Sequence, residues 1–127
     1  MKFQPDTLAG VNVISRHEAT RLWVGAVSFD AASLLVPWKG EVAEWGVARF
    51  EALAEAHFEH AARLAPEVVI FGSGARLRFV RPALMRALIE RGIGVETMDT
   101  GAACRTYNVL VSEGRSVLAA LLLERGA

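Results

Sequence analysis

A single cysteine, Cys104, stands among 127 residues, so neither an internal disulfide nor a multi-thiolate metal site can form. That suits a reducing compartment. No uncharged apolar run approaches the ~18 residues of a membrane-spanning helix, so the chain is not expected to be a transmembrane protein. An excess of one charge sign is also missing: Lys+Arg and Asp+Glu stand at 14 each. No overall field then draws the chain to nucleic acid or anionic lipid. The stretch MKFQPDTLAGVNVISRH has no long apolar core and few arginines, so neither a secretory signal nor a transit peptide is expected. Repeats and low-complexity tracts are absent as well. These absences together predict one cytoplasmic domain over residues 1–127.

The hydrophobic share of 53% supplies ample material for a core. VNVISRH and RLWVGAVSF read as strands from their β-branched and aromatic content, and SLLVP as a short buried strand ending at Pro37. From Glu41 to Ala65 apolar residues recur at helical spacing, which predicts one long helix with Trp45 off its apolar stripe. EVVIF (67–71) is apolar throughout, as in a strand covered on both faces. Pro82 opens a helix over 82–91 and Gly92 closes it. IGVETM (93–98) makes a further strand, residues 101–113 a last helix, and SVLAALLL a final buried strand. Strand–helix–strand alternation implies parallel pairing with right-handed crossovers. The expectation is a single α/β domain: a mixed sheet with parallel strands at 33–36, 67–71, 93–98 and 116–123, extended by N-terminal antiparallel strands.

Ligands of such sheets lie beyond the carboxyl ends of the strands. Here those ends carry Pro37–Gly40, Gly72–Arg78 and Asp99–Gly101. In GSGAR, Gly72 and Gly74 permit close approach and unusual φ, so the N–H groups around Ser73 can form an anion-binding nest. Arg76, Arg78 and Arg81 add cationic donors. Neither a Walker A motif nor the three-glycine dinucleotide fingerprint is present, and the bland alternative is a tight turn with solvated arginines. Asp99 can cap the last helix or orient Arg76 or Arg105, and Arg105 and Asn108 share the outer face of that helix. Cys104 lies near the helix start, where a thiolate is favoured, but shares the inward face with Ala103, Tyr107, Leu110 and Val111. A packed, inert thiol is expected, and no catalytic residue is assigned. His57 and His60 are three apart, yet one sits on the apolar stripe and no third ligand is evident, so no metal is assigned. No cofactor is implied.

VVIFGSGARLRF together with RGIGVETMDTGAACRTYNVLVSEGRSVLAALL resembles the Mth-domain family of small α/β proteins. The resemblance covers about half of the chain, from Pro66 onward, with Gly72-Ser73-Gly74 where many relatives have Gly-Thr-Gly. That family includes an assembly factor of mitochondrial respiratory complex I and an adipogenesis-associated protein. The resemblance implies a mixed-sheet α/β fold, a pocket near these loops and a protein partner, with respiratory complex subunits the candidates. It carries over no catalytic residue. The preferred expectation is a non-enzymatic binding or assembly module of a bacterial-style relative. The alternative is a small-molecule or anion-binding protein or enzyme using the Gly72–Arg78 and Asp99–Arg105 loops.

Overall fold

Apolar side chains alternate between two faces along each central strand, and that alternation organises the molecule. The computed structural model describes residues 10–124; the expectation about targeting segments falls partly outside them. A five-stranded sheet is built from β4 (Ser33–Pro37), β5 (Ala43–Glu44), β6 (Val68–Gly72), β7 (Gly94–Met98) and β8 (Val117–Leu122), in the spatial order β5-β4-β8-β6-β7. On one face Leu34, Val36, Ile70, Val117, Ala119 and Leu121 meet helix α3 (Thr100–Ser112) through Ala103, Cys104, Tyr107 and Val111. On the other, Leu35, Val69, Phe71, Leu118 and Ala120 meet α1 (Glu55–Arg63) and α2 (Arg86–Glu90) through Phe58, Ala61 and Leu88. β8 is buried at every position because it has partners on both edges and cover on both faces.

The N-terminal strands form a sheet of their own rather than an extension of the large one. β1 (Ile14–Glu18), β2 (Arg21–Val24) and β3 (Val27–Phe29) pair antiparallel in that order. Gly25, at φ +59, turns the chain inside RLWVGAVSF, which is therefore a hairpin and not one strand. Ile14, Leu22 and Val24 lay the inner side of this small sheet beside α3 on the same core.

Further expectations are corrected as well. The helix predicted over 41–65 begins only at Glu55. Ahead of it, Ala43 and Glu44 pair with β4, Gly46 takes φ +83, and a 3-10 turn occupies Phe50–Ala52. Backbone N–H groups that a helix would use bond elsewhere: Trp45 N donates to Ser33 O at 3.2 Å and Val47 N to Ser33 Oγ at 2.8 Å. Trp45, expected off the apolar stripe, is buried edge-on against Phe58 and Phe71, with its indole N–H on His57 O at 3.0 Å. His57 itself accepts the Ala54 N–H through Nδ1 at 2.9 Å and so caps α1.

The direction of β4 is the second correction. Residues 33–37 run antiparallel to β8, whereas β6 is parallel to both β7 and β8. With the chain reversing through β5 before α1, the segment between β4 and β6 is not a single crossover, and the parallel rule does not apply to it. Pro37 pairs with Leu118 near the start of β8, so Pro37–Gly40 lies at the opposite end of the sheet from Gly72. The helix expected over 82–91 is also divided, into a 3-10 turn at Pro82–Met85 followed by α2.

Candidate functional site

Three chain segments meet at the carboxyl ends of β6, β7 and β8, and Thr100 joins them. It is buried at the first position of α3, where its hydroxyl accepts the Gly74 N–H at 2.9 Å and donates to Leu122 O at 2.7 Å. Its own N–H donates to Gly74 O at 2.9 Å. The approach is close enough to demand glycine at position 72. A Cβ there would stand 2.9 Å from Thr100 Oγ1 and 3.0 Å from Thr100 Cα. Gly74 serves the turn differently, through its φ of +105.

Around this junction the loop after β6 is tied down by its own chain. Ser73 N donates to Met98 O, Gly74 N to Thr100 Oγ1 and Ala75 N to Glu124 Oε1, each at 2.9 Å. The successive N–H groups that suggested a nest thus already have acceptors, one of them a carboxylate. Ser73 Oγ donates to Arg76 O at 2.7 Å and accepts from Arg78 N at 2.9 Å. Arg78, whose side chain is 19% exposed, donates through Nη2 to Ser73 O at 2.7 Å and reaches Glu124 at 3.5 Å. Its guanidinium also covers the Phe50 ring, 4.6 Å from the centroid. Beyond this anchored base the side chains turn outward: Phe79 is 72% exposed and Leu77 50%.

Of the residues singled out in the sequence, Gly72, Ser73, Gly74, Arg78 and Asp99 lie together at this end. Asp99 is the N-cap of α3 and accepts from Ala102 N at 2.9 Å. Arg105 lies near Gly101 and His17, while Arg76 is exposed without an ion-pair partner within 4.0 Å among the described residues. Asn108 does not join them. Two turns along α3, it accepts from Ile14 N at 2.9 Å and donates to Ile14 O at 2.8 Å, fastening β1 to the helix. Glu124 and His17 were not picked out in the sequence. An isolated acidic residue just after an apolar strand was the available signal for Glu124. Nothing local marks His17, which the separate small sheet delivers.

Two hollows flank the anchored loop. One, of about 320 Å³, is lined by His17, Glu18, Gly74, Asp99, Gly101 and Glu124 among others. Loss of hydration lowers the His17 pKa below the ordinary imidazole value, with Asp99 opposing and Arg105 adding to the shift. The other, of about 360 Å³, lies between the Phe50–Ala52 turn and the loop at Arg78–Arg81, with Phe50, Leu53, Phe79, Val80 and Leu84 as its apolar lining. Among the described residues no group of three or more His, Cys, Asp or Glu is placed to hold a metal ion. Among the same described residues no helix is long and apolar enough to cross a membrane.

Cys104 is 4% exposed in the core beneath α3, and burial pushes its thiol up to about 12, with Arg105 only partly offsetting the effect. At neutral pH it is a protonated packing group. Native protein should therefore react with a bulky alkylating reagent orders of magnitude more slowly than unfolded protein, with labelling followed by mass. Rapid native labelling would contradict the buried assignment.

A family model described as a protein of unknown function (DUF498/DUF598) matches residues 14–122. The chain is 40% identical over 83 residues to NADH dehydrogenase (ubiquinone) 1 alpha subcomplex assembly factor 3 of Bos taurus, covering 64% of this chain and 45% of that protein. It thus spans about half the length of the curated relatives it matches first. A crystal structure of a Bordetella parapertussis protein superposes with a TM-score of 0.84 at 38% identity, covering 91% of this chain and 98% of the other. A solution structure from Bordetella pertussis, described as a Mth938-like domain, gives a TM-score of 0.82 at 32% identity over 97% of this chain and 92% of the other. The anchored glycine loop, the mixed sheet and these matches together place the chain in the DUF498/DUF598 family of Mth938-like α/β domains, which has complex I assembly factors among its relatives.

Proposed function

We propose that the chain is a non-enzymatic binding module that docks protein partners in an assembly process, with respiratory complex I subunits as the candidate partners. The observation that carries this reading is Phe79, a large apolar side chain 72% exposed beside an apolar hollow, on a loop fixed at its base by Ser73, Arg78 and Glu124. Exposed apolar surface on a pre-organised support loses little conformational freedom on binding, which favours association. Relatives named as complex I assembly factors support the same reading.

The competing reading, a small-molecule or anion site, has the 320 Å³ hollow at the strand ends in its favour. Glu18, Asp99 and Glu124 line it, however, and that lining opposes an anion. A ligand reaching for the Ala75 N–H would first have to displace Glu124.

Affinity capture with the chain from its native organism, in detergent that preserves respiratory complexes, tests the proposal. Complex I subunits should be enriched over a control bait, and Phe79→Asp should lose most of that enrichment while melting at an unchanged temperature. Full retention by Phe79→Asp would defeat the reading. So would turnover of metabolites by the purified chain without any enriched subunit.

A further inference from the structure

We infer that the hollow beside Phe79 receives an apolar segment of a partner protein flanked by acidic residues, an inference that rests on the binding-module reading and names the partner's chemistry. The floor and walls are apolar: Leu53 and Val80 are buried, Phe50 and Leu84 are half-buried, and the exposed Phe79 ring forms the outer lip. A volume of about 360 Å³ has room for a large apolar side chain and its neighbour.

The rim supplies the selectivity. Over the whole chain formal charge cancels to +0, yet around this hollow it does not. Glu51, the acidic residue of the lining, is already shared between Arg49 at 4.0 Å and Arg78 at 3.9 Å. Arg78 is further engaged by Glu124. Arg81 in the lining and Arg76 on the same loop have no carboxylate within 4.0 Å among the described residues. The uncompensated charge of the lining is therefore that of Arg81, and Arg76 carries a second unpaired guanidinium three residues before Phe79 in sequence. A partner that buries apolar surface here approaches the unpaired Arg81 guanidinium, and carboxylates at its edge complement that charge. A second copy of this chain fits poorly, since like arginines would face one another across a two-fold contact.

Two synthetic peptides test the class. They share the same leucines and tryptophan and differ only in carrying Glu or Lys at the flanks. Titrated into isotope-labelled wild-type chain, the Glu peptide should shift the amides of Phe79, Arg81 and Leu84 saturably, with affinity falling as salt rises. The Lys peptide should bind about fivefold more weakly or worse. In the Arg76→Glu/Arg81→Glu variant the preference should reverse, with the fold monitored by its unchanged melting temperature. Equal affinity for the two peptides, no binding at millimolar peptide, or shifts confined to the His17 hollow would overturn the inference. Concentration-dependent shifts of the same amides without peptide would instead assign the surface to a second copy. Native capture separates this inference from the reading beneath it. Subunits lost by Phe79→Asp but kept by the double glutamate variant would leave a binding module whose partner is not acidic. Subunits kept by both variants would remove both.

Discussion

Tyr107→Ala is expected to destabilise the fold by about 3–5 kcal/mol, the range for emptying a large aromatic site. Tyr107 is fully buried in the core between the large sheet, the hairpin sheet and α3. Its hydroxyl donates to Asn12 O at 2.8 Å and also lies 3.1 Å from Pro37 O. Truncation therefore removes packing and leaves part-buried carbonyls with less to bond. Against a typical total stability of ~5–15 kcal/mol, a loss of this size is a large fraction. Tyr107→Phe separates the terms and should cost about 1 kcal/mol, since it removes only the hydroxyl. Chemical denaturation of the variants measures both values, and a small effect for Tyr107→Ala would mean that the helix face is misplaced.

Thr100→Val, nearly isosteric, should cost about 2–4 kcal/mol, because it orphans the Gly74 N–H and the Leu122 carbonyl in a buried setting. Thr100→Ser keeps the hydroxyl and should recover most of that loss. Backbone amide exchange supplies a local readout: protection at Gly74 should fall in the valine variant and persist in the serine variant. If serine loses more than valine, the side chain's value lies in its bulk and not in its hydrogen bonds.

How much of this was legible in the sequence depended on whether local pattern and tertiary setting agreed. β6, β7, α3 and β8 were legible. Apolar runs without polar interruption mark β6 and β8 as strands covered on both faces, β7 follows the glycine that ends a helix, and Asp99 and Gly114 bracket α3. Residues 41–54 were not, because Val47 and Leu53 recur at helical spacing although an irregular chain delivers them to the core. Gly46 and the aromatic Trp45 beside it were the contrary signals. The direction of β4 was illegible because a short apolar strand has no polarity of its own, and its pairing with β8 spans most of the chain. Within the site, Asp99 was recognisable as a cap from its place before a helix. The Gly72–Arg78 loop looked open because the acceptor for the Ala75 N–H, Glu124, lies 49 residues further on. Asn108 looked free on an outer helix face for a similar reason, since its partner Ile14 lies 94 residues away.

The position of β8 bears on how the molecule is made. It is the last of the described strands in sequence, yet it sits in the middle of the sheet, bonded to β4 on one side and β6 on the other. Before β8 leaves the ribosome, the β4–β5 pair and the β6–β7 pair have no hydrogen-bonded ladder joining them. Both present open inner edges that can recruit another nascent chain. Closure awaits β8, which is translated after the four strands it joins, and the joining pairs, such as Ser33 with Leu122, are distant in sequence and therefore slow to meet.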